Sequence, residues 1–340
     1  MKMRDKIKGV ELLKFLAAFQ VMYGHLVTHY KLEQWEINGV PVFAKILSPF
    51  MGVPVFFALS GYFIWKSLSR KKVTAAAYGY RRFIRIYPEL WVVVAITAIS
   101  ILVLYYRNLS LVPFSAWIIT QSTFMQFWTP SCLRGYGVGC PNGSLWTILV
   151  FVQFYIVVFI LYPVLHNSKK IIWGGVLTVS AVLNVVPRLF SNAVPEILYK
   201  LYKQTLFPYL TIFMLAAFLA EYEDKFRKIF HSKWLCVALY VLLAIGLPFD
   251  VKGAGYSLIT AALITVFAIT FGNIVNCPFR ITDISYEVYL VHMPIANVFI
   301  ELFEKQNWIT FFYTIVLVYL LAYVLHTVNT MAIQVLEKNK

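Results

Sequence analysis

The sequence predicts an all-α, polytopic transmembrane helical bundle of about ten helices, with both termini in the cytoplasm. Three observations predict it. The 340 residues are 60% hydrophobic and only 13% charged, whereas a soluble chain is about half apolar and about a quarter charged. Apolar runs long enough to cross a bilayer recur from one end to the other. Lys and Arg collect in the connections on one side of those runs, about 20 against about 9 on the other. The net charge of +15 alone would fit a nucleic-acid partner. Its scatter through short connections is instead the positive-inside pattern, so nucleic acid is not an expected partner.

The expected spans fall at 10–30, 46–65, 89–106, 145–165, 170–187, 204–221, 234–249, 255–275, 284–303 and 309–335. Helix is expected in each because a bilayer leaves no unpaired backbone group unsatisfied. The first run lacks a small-residue cleavage site, so it is expected to stay as a helix. The connection after the second span is strongly basic, with Arg70, Lys71, Lys72, Arg81, Arg82 and Arg85, and Pro88 is expected to open the third span. The longest connection, about 107–144, is aromatic-rich and reads as an outer cap or re-entrant segment. Cys132 and Cys140 lie in it, where a local disulfide and two free thiols are both open; Cys236 and Cys277 read as buried thiols. No connection is large enough for a soluble domain. A single transmembrane domain over 1–340 is therefore expected, with no soluble extension and no metal site.

The chemistry concentrates in four stretches. The first is Glu11 to His25, an apolar run holding Glu11, Lys14 and His25. At about 1.5 Å per residue, His25 sits roughly 16 Å beyond Lys14. Either His25 hydrogen-bonds a neighbouring helix and only packs, or it is a functional intramembrane group. The second is Val55 to Ile64, where the small pair Ser60-Gly61 lets a helix approach closely. The third is Tyr80 to Pro88, where Arg82 and Arg85 share a helix face. Such a pair either holds lipid head groups or cradles the phosphates of a donor such as coenzyme A. The fourth is Ile284 to Ile295, which places Glu287 and His292 in the membrane. These two are five apart, off one stripe, and need not pair.

Taken together, these stretches resemble the acyltransferase-3 family of integral membrane O-acyltransferases. The family's acidic residue, Arg, ten residues and His correspond to Glu11, Lys14 and His25. Its Phe-Phe-x-x-Ser-Gly-Phe-x-Ile corresponds to Phe56 to Ile64, with Tyr62 for Phe. Its Arg-Arg-x-x-Arg-Ile-x-Pro corresponds to Arg81 to Pro88, and its Ser-Tyr-x-x-Tyr-Leu-x-His-x-Pro to Ser285 to Pro294. Leu145 to Tyr155 echoes a further family helix. There are two departures: Lys14 stands for Arg, which keeps the charge and loses the bidentate fork, and Phe151 or Val152 stands where the family has Glu.

The resemblance implies acyl transfer from acetyl-CoA to a hydroxyl of a cell-surface polysaccharide, such as capsule or exopolysaccharide, or of its lipid-linked precursor, at the cell membrane. His25 is then the expected base or acyl carrier, with Glu11, Lys14 and His292 completing the catalytic set. Lys14, Arg82, Arg85 and Ser60 are the expected donor-binding residues. The rival reading is a transporter or flippase of glycans or lipid-linked sugars, which would need a polar path through the helices. The absence of visible repeated halves counts against it.

Overall fold

The computed structural model describes residues 8–70, 72–246, 257–277 and 281–338. Parts of the expected spans at 234–249 and 255–275, and the basic residue Lys71, lie outside these. The described chain is almost all helix: α1 (Lys8–His29), α2 (Val42–Leu47), α3 (Gly52–Arg70), α4 (Ala75–Tyr105), α5 (Leu111–Gln121), α6 (Trp146–Leu165), α7 (Lys170–Leu189), α8 (Glu196–Tyr202), α9 (Leu210–Glu221), α10 (Glu223–Phe230), α11 (Lys233–Val241), α12 (Leu258–Ile274), α13 (Ser285–Leu302) and α14 (Trp308–Lys338). Among the described residues, strand is confined to Glu36–Ile37 and Val40–Pro41.

Every expected span carries helix. Six helical stretches are long and apolar enough to cross a membrane, or up to eight if two bent pairs each count as one span. The bends, 56° between α8 and the Phe207–Glu221 stretch and 75° between α10 and the Lys233–Ile245 stretch, fall at or just before the start of the expected runs at 204–221 and 234–249, whose described residues are helical from 207 and from 234. Helix α12 is shorter, and α13 carries Glu287, His292, Asn297 and Glu301 among its apolar residues. Neither α12 nor α13 is among those six.

One expectation is corrected. Pro88 does not open a span: it lies inside α4, and Arg81, Arg82 and Arg85 are on the helix rather than in a connection. The 31 residues of α4 rise about 46 Å, well beyond the hydrocarbon core of about 30 Å. The basic first turns therefore have length to spare outside the core. The proline is tolerated because buried helix neighbours can satisfy the carbonyl it frees.

The backbone falls into two compact units. The first comprises residues 1–20, 37–74 and 150–282. In it, α3 lies against α9 and α12. The Phe57 and Phe154 rings pack on Phe213 at centroid distances of 4.6 and 3.9 Å, and Phe151 joins them. Phe151, which with Val152 is one of the two residues standing where the resemblance has a carboxylate, is thus packed among aromatic rings. Below this cluster the Glu221 carboxylate accepts from Trp65 Nε1 (2.7 Å), His166 Nδ1 (3.1 Å) and the Asn167 amide (2.8 Å).

Gly61 makes the close approach expected of Ser60-Gly61. A Cβ there would lie 2.4 Å from the Phe213 carbonyl oxygen and 3.0 Å from the Ala216 Cβ, with backbone on the far side that cannot swing away. Gly61→Ala is expected to force α3 off α9 and cost about 1–3 kcal/mol. A lowered thermal midpoint in detergent checks it.

The second unit comprises residues 21–36, 75–149 and 283–340. In it, α13 packs between α4 and α14, buried from Ser285 through Asn297 except for Tyr286. Tyr286 hydrogen-bonds the Ile86 carbonyl of α4 at 2.9 Å, and Tyr30, just after α1, meets Thr314 of α14 at 2.7 Å.

Candidate active site

The second unit holds the chemistry. α1 delivers His25 and α13 delivers His292, and the two imidazoles meet: His25 Nδ1 lies 2.9 Å from His292 Nε2. The rings are near parallel, with centroids 5.1 Å apart. His292 is fully buried and His25 partly exposed. Neither carries a carboxylate partner of its own among the described hydrogen bonds, although the sequence places acidic residues near both.

The network fixes the tautomers. His292 Nδ1 lies 3.1 Å from the Val288 carbonyl oxygen. A carbonyl only accepts, so Nδ1 is the nitrogen that donates. In the neutral ring, Nε2 of His292 is then an acceptor, and His25 Nδ1 must donate to it. The lone pair of His25 is left on Nε2. This assignment follows from bonding partners, which is the proper basis for placing imidazole protons. Chemically it is a base held in one orientation by a buried second imidazole. His29, one turn after His25, lies 5.9 Å away by ring centroid and adds a third imidazole to the same end of α1.

Two further constellations surround the pair. Toward the start of α13, Glu287 accepts from His326 Nδ1 of α14 at 2.6 Å, and Glu89 of α4 bonds Asn329 of α14 at 2.5 Å. Glu287 thus pairs with His326 and not with His292, as the five-residue spacing expects. Toward the far end of α13, Asn297 is fully buried and holds the connection before α6. Its Oδ1 accepts from the Val138 amide (2.9 Å), and its Nδ2 donates to the Cys140 and Pro141 carbonyls (3.0 and 2.9 Å). Glu301 accepts from the Gly137 amide at 2.6 Å. Gly137 has φ +55°, and a Cβ on it would lie 2.0 Å from Asn297 Oδ1. Asn142 and Ser144 bond the Leu290 and Tyr289 carbonyls (2.8 and 3.2 Å), and Tyr289 donates to the Ser144 carbonyl at 2.6 Å.

The expected outer segment is therefore sewn along the helix that carries His292. Cys132 and Cys140 are free thiols there; Cys236 and Cys277 are also free, Cys277 buried and Cys236 only partly so. Asn297→Ala strands one amide and two carbonyls. At about 1–3 kcal/mol for an unsatisfied buried group, it is expected to free residues 137–141, read as faster amide exchange at Val138.

Of the other expected residues, Arg82 and Arg85 lie on α4 in this unit, with Arg82 over the Tyr78 ring at 5.1 Å. Glu11, Lys14 and Ser60 lie in the first unit, on α1 and α3. Sequence reasoning did not single out His29, Glu89, His326, Asn329 or Asn297. The signal was available for Glu89 and His326, since an ionisable residue inside a span is a functional candidate by default.

The acyltransferase-3 family model, described as an acyltransferase domain, matches residues 7–327. The chain belongs to this family. Nodulation protein 10 of Rhizobium leguminosarum bv. viciae is 27% identical over 322 residues, covering 88% of this chain and 85% of that protein. No solved structure matches the chain. Family and fold together make this acyltransferase-3 member a multi-pass membrane protein and an acyl-transferring enzyme. Within the family frame, the histidines of its first and penultimate expected spans are the two that meet.

Proposed function

We propose that this enzyme is a membrane O-acetyltransferase that moves the acetyl group of acetyl-CoA to a hydroxyl of a cell-surface polysaccharide or its lipid-linked precursor. It would do so in the cell membrane, with both termini cytoplasmic. The observation that carries this reading is the oriented His25–His292 pair, which leaves a lone pair on His25 Nε2. In the proposed step Nε2 takes the proton of the acceptor hydroxyl as its oxygen attacks the thioester carbonyl. The carbon–sulfur bond then breaks, and the coenzyme A thiolate leaves with the proton that His25 returns. Atoms and charge balance with no other reactant. Arg82 and Arg85, one turn apart on α4, would hold the donor's phosphates, since guanidinium groups grip phosphate oxygens in pairs. Lys14 and Ser60 are assigned to donor binding and Glu11 to holding Lys14, on the strength of the sequence motifs.

The test uses membrane vesicles with radiolabelled acetyl-CoA and the producing cell's own glycan, with and without the protein. Label is expected in the glycan as alkali-labile ester only when the protein is present. Arg85→Ala is expected to raise KM for acetyl-CoA by about tenfold or more, from the loss of a charged hydrogen bond of about 1.5–3 kcal/mol, with kcat largely kept. A transporter would instead lose glycan export on deletion, with the acetyl content per repeat unchanged. That outcome sinks the enzyme reading of the acceptor.

A further inference from the structure

Three helices converge a short way along α13 from the histidine pair. Glu89 comes from α4, Glu287 from α13 and His326 from α14. Glu89 and Glu287 are 5% and 3% exposed. One ligating atom from each of the three side chains lies within 4.8 Å of the other two. Asn329 stands one turn after His326 on the same face of α14 and reaches Glu89. Glu287 and His292 are five residues apart on α13, about 140° around the helix, so this cluster is separate from the imidazole pair.

We propose that Glu89, Glu287 and His326 form a binding site for a divalent first-row metal ion, with Asn329 as a fourth donor. The two carboxyl groups are buried and each brings an oxygen within 4.8 Å of the other. Carboxylates that close together and out of water need a positive charge between them, either a proton or a metal ion. The donor set favours the metal. A shared proton engages two carboxyl oxygens only, whereas the imidazole nitrogen and the amide that α14 brings to the same point, now hydrogen-bonded to the carboxyl groups, complete a set of four donor atoms that one ion can use. Two carboxylate oxygens with an imidazole nitrogen are a common set for zinc and manganese. Ligands projecting inward from several helices of a bundle, two of them one turn apart on a single helix, are a known way to build such a site. The ion takes one oxygen from each carboxylate and Nδ1 of His326, in place of the present hydrogen bonds. Turning the Asn329 amide presents its oxygen, and that orientation is set by the bonding partner. Arg85 lies one turn before Glu89 on α4, so the site would sit beside the basic residues and tie α4, α13 and α14 together. The proposal is independent of which acyl group or acceptor the enzyme uses.

The experiment uses the full-length protein purified in detergent without chelator. Its metal content is measured by mass spectrometry. The protein is then stripped and titrated with Mn²⁺, with free ion followed by electron paramagnetic resonance. About one Mn²⁺ per chain is expected, bound at least about tenfold more weakly by Glu287→Gln and by His326→Ala, and unchanged in His25→Ala. The proposal is overturned if the wild-type protein, which needs no variant to fold, neither carries a metal nor binds Mn²⁺. It is equally overturned if Glu287→Gln and His326→Ala bind as tightly as wild type. A protonated-carboxyl infrared band, present in stripped and Mn²⁺-treated wild type alike and absent from Glu89→Gln, would identify a shared proton as the occupant instead.

Discussion

Replacing His25 with alanine is expected to reduce acyl transfer by about 10² to 10⁴, the usual worth of a positioned general base. The loss should fall on kcat, because His25 in the proposed step acts on the acceptor's proton as the thioester is attacked, not on donor binding. His25 is partly exposed and makes one described hydrogen bond, to His292, so its truncation should leave the fold intact. The measurement is single-turnover transfer of labelled acetyl to glycan, with protein level and monodispersity matched. In the producing cell the same variant should erase the O-acetyl signals from the proton NMR spectrum of the surface glycan while glycan yield is unchanged. If His25→Ala transfers acetyl at the wild-type rate, His25 is a packing histidine and the proposed mechanism fails, although family membership would stand.

How much of this was legible in the sequence follows from which forces act locally. Six to eight of the ten expected spans were legible because a bilayer imposes one requirement, about 20 apolar residues in a helix. Gly61 was legible because a small pair in an apolar helix has few other uses. Pro88 was misplaced because a proline after a basic stretch looks like a helix start. Here α4 begins at Ala75 and runs through it, since buried neighbours outweigh one lost hydrogen bond. The pairing of His25 with His292 was beyond reach, because 267 residues separate them and no spacing rule spans that distance. For the same reason Asn297 reads as one polar residue in an apolar run. Its role appears only when residues 137–141 fold onto it. His326 lies past the middle of the long apolar α14, and its ionisable side chain inside a span was a signal that went unread. Its partner Glu287 lies on a different helix.

Replacing His292 tests the arrangement itself. His292 touches no reacting atom in the proposed step; it is a positioning residue that accepts from His25 Nδ1 and so keeps the His25 lone pair on Nε2. His292→Ala removes that acceptor and leaves His25 free to carry its proton on either nitrogen and to turn about its side-chain bonds. The His25 Nδ1–H also loses its buried partner. A lost or unsatisfied buried hydrogen bond costs about 1–3 kcal/mol, and at about 1.36 kcal/mol per decade kcat should fall about 5- to 150-fold, with KM for acetyl-CoA nearly unchanged. His292→Gln is the discriminating variant, because its amide oxygen can accept from His25 Nδ1 near the place of Nε2. If orientation is what His292 supplies, Gln should recover a large share of the rate that Ala loses. If His292 only fills volume, Gln and Ala should be equally slow, and a hydrophobic residue of similar size, His292→Leu, should be the better substitute. The double variant His25→Ala/His292→Ala adds a further constraint. A residue that acts only through His25 has nothing left to position once His25 is gone, so the double variant should be no slower than His25→Ala alone.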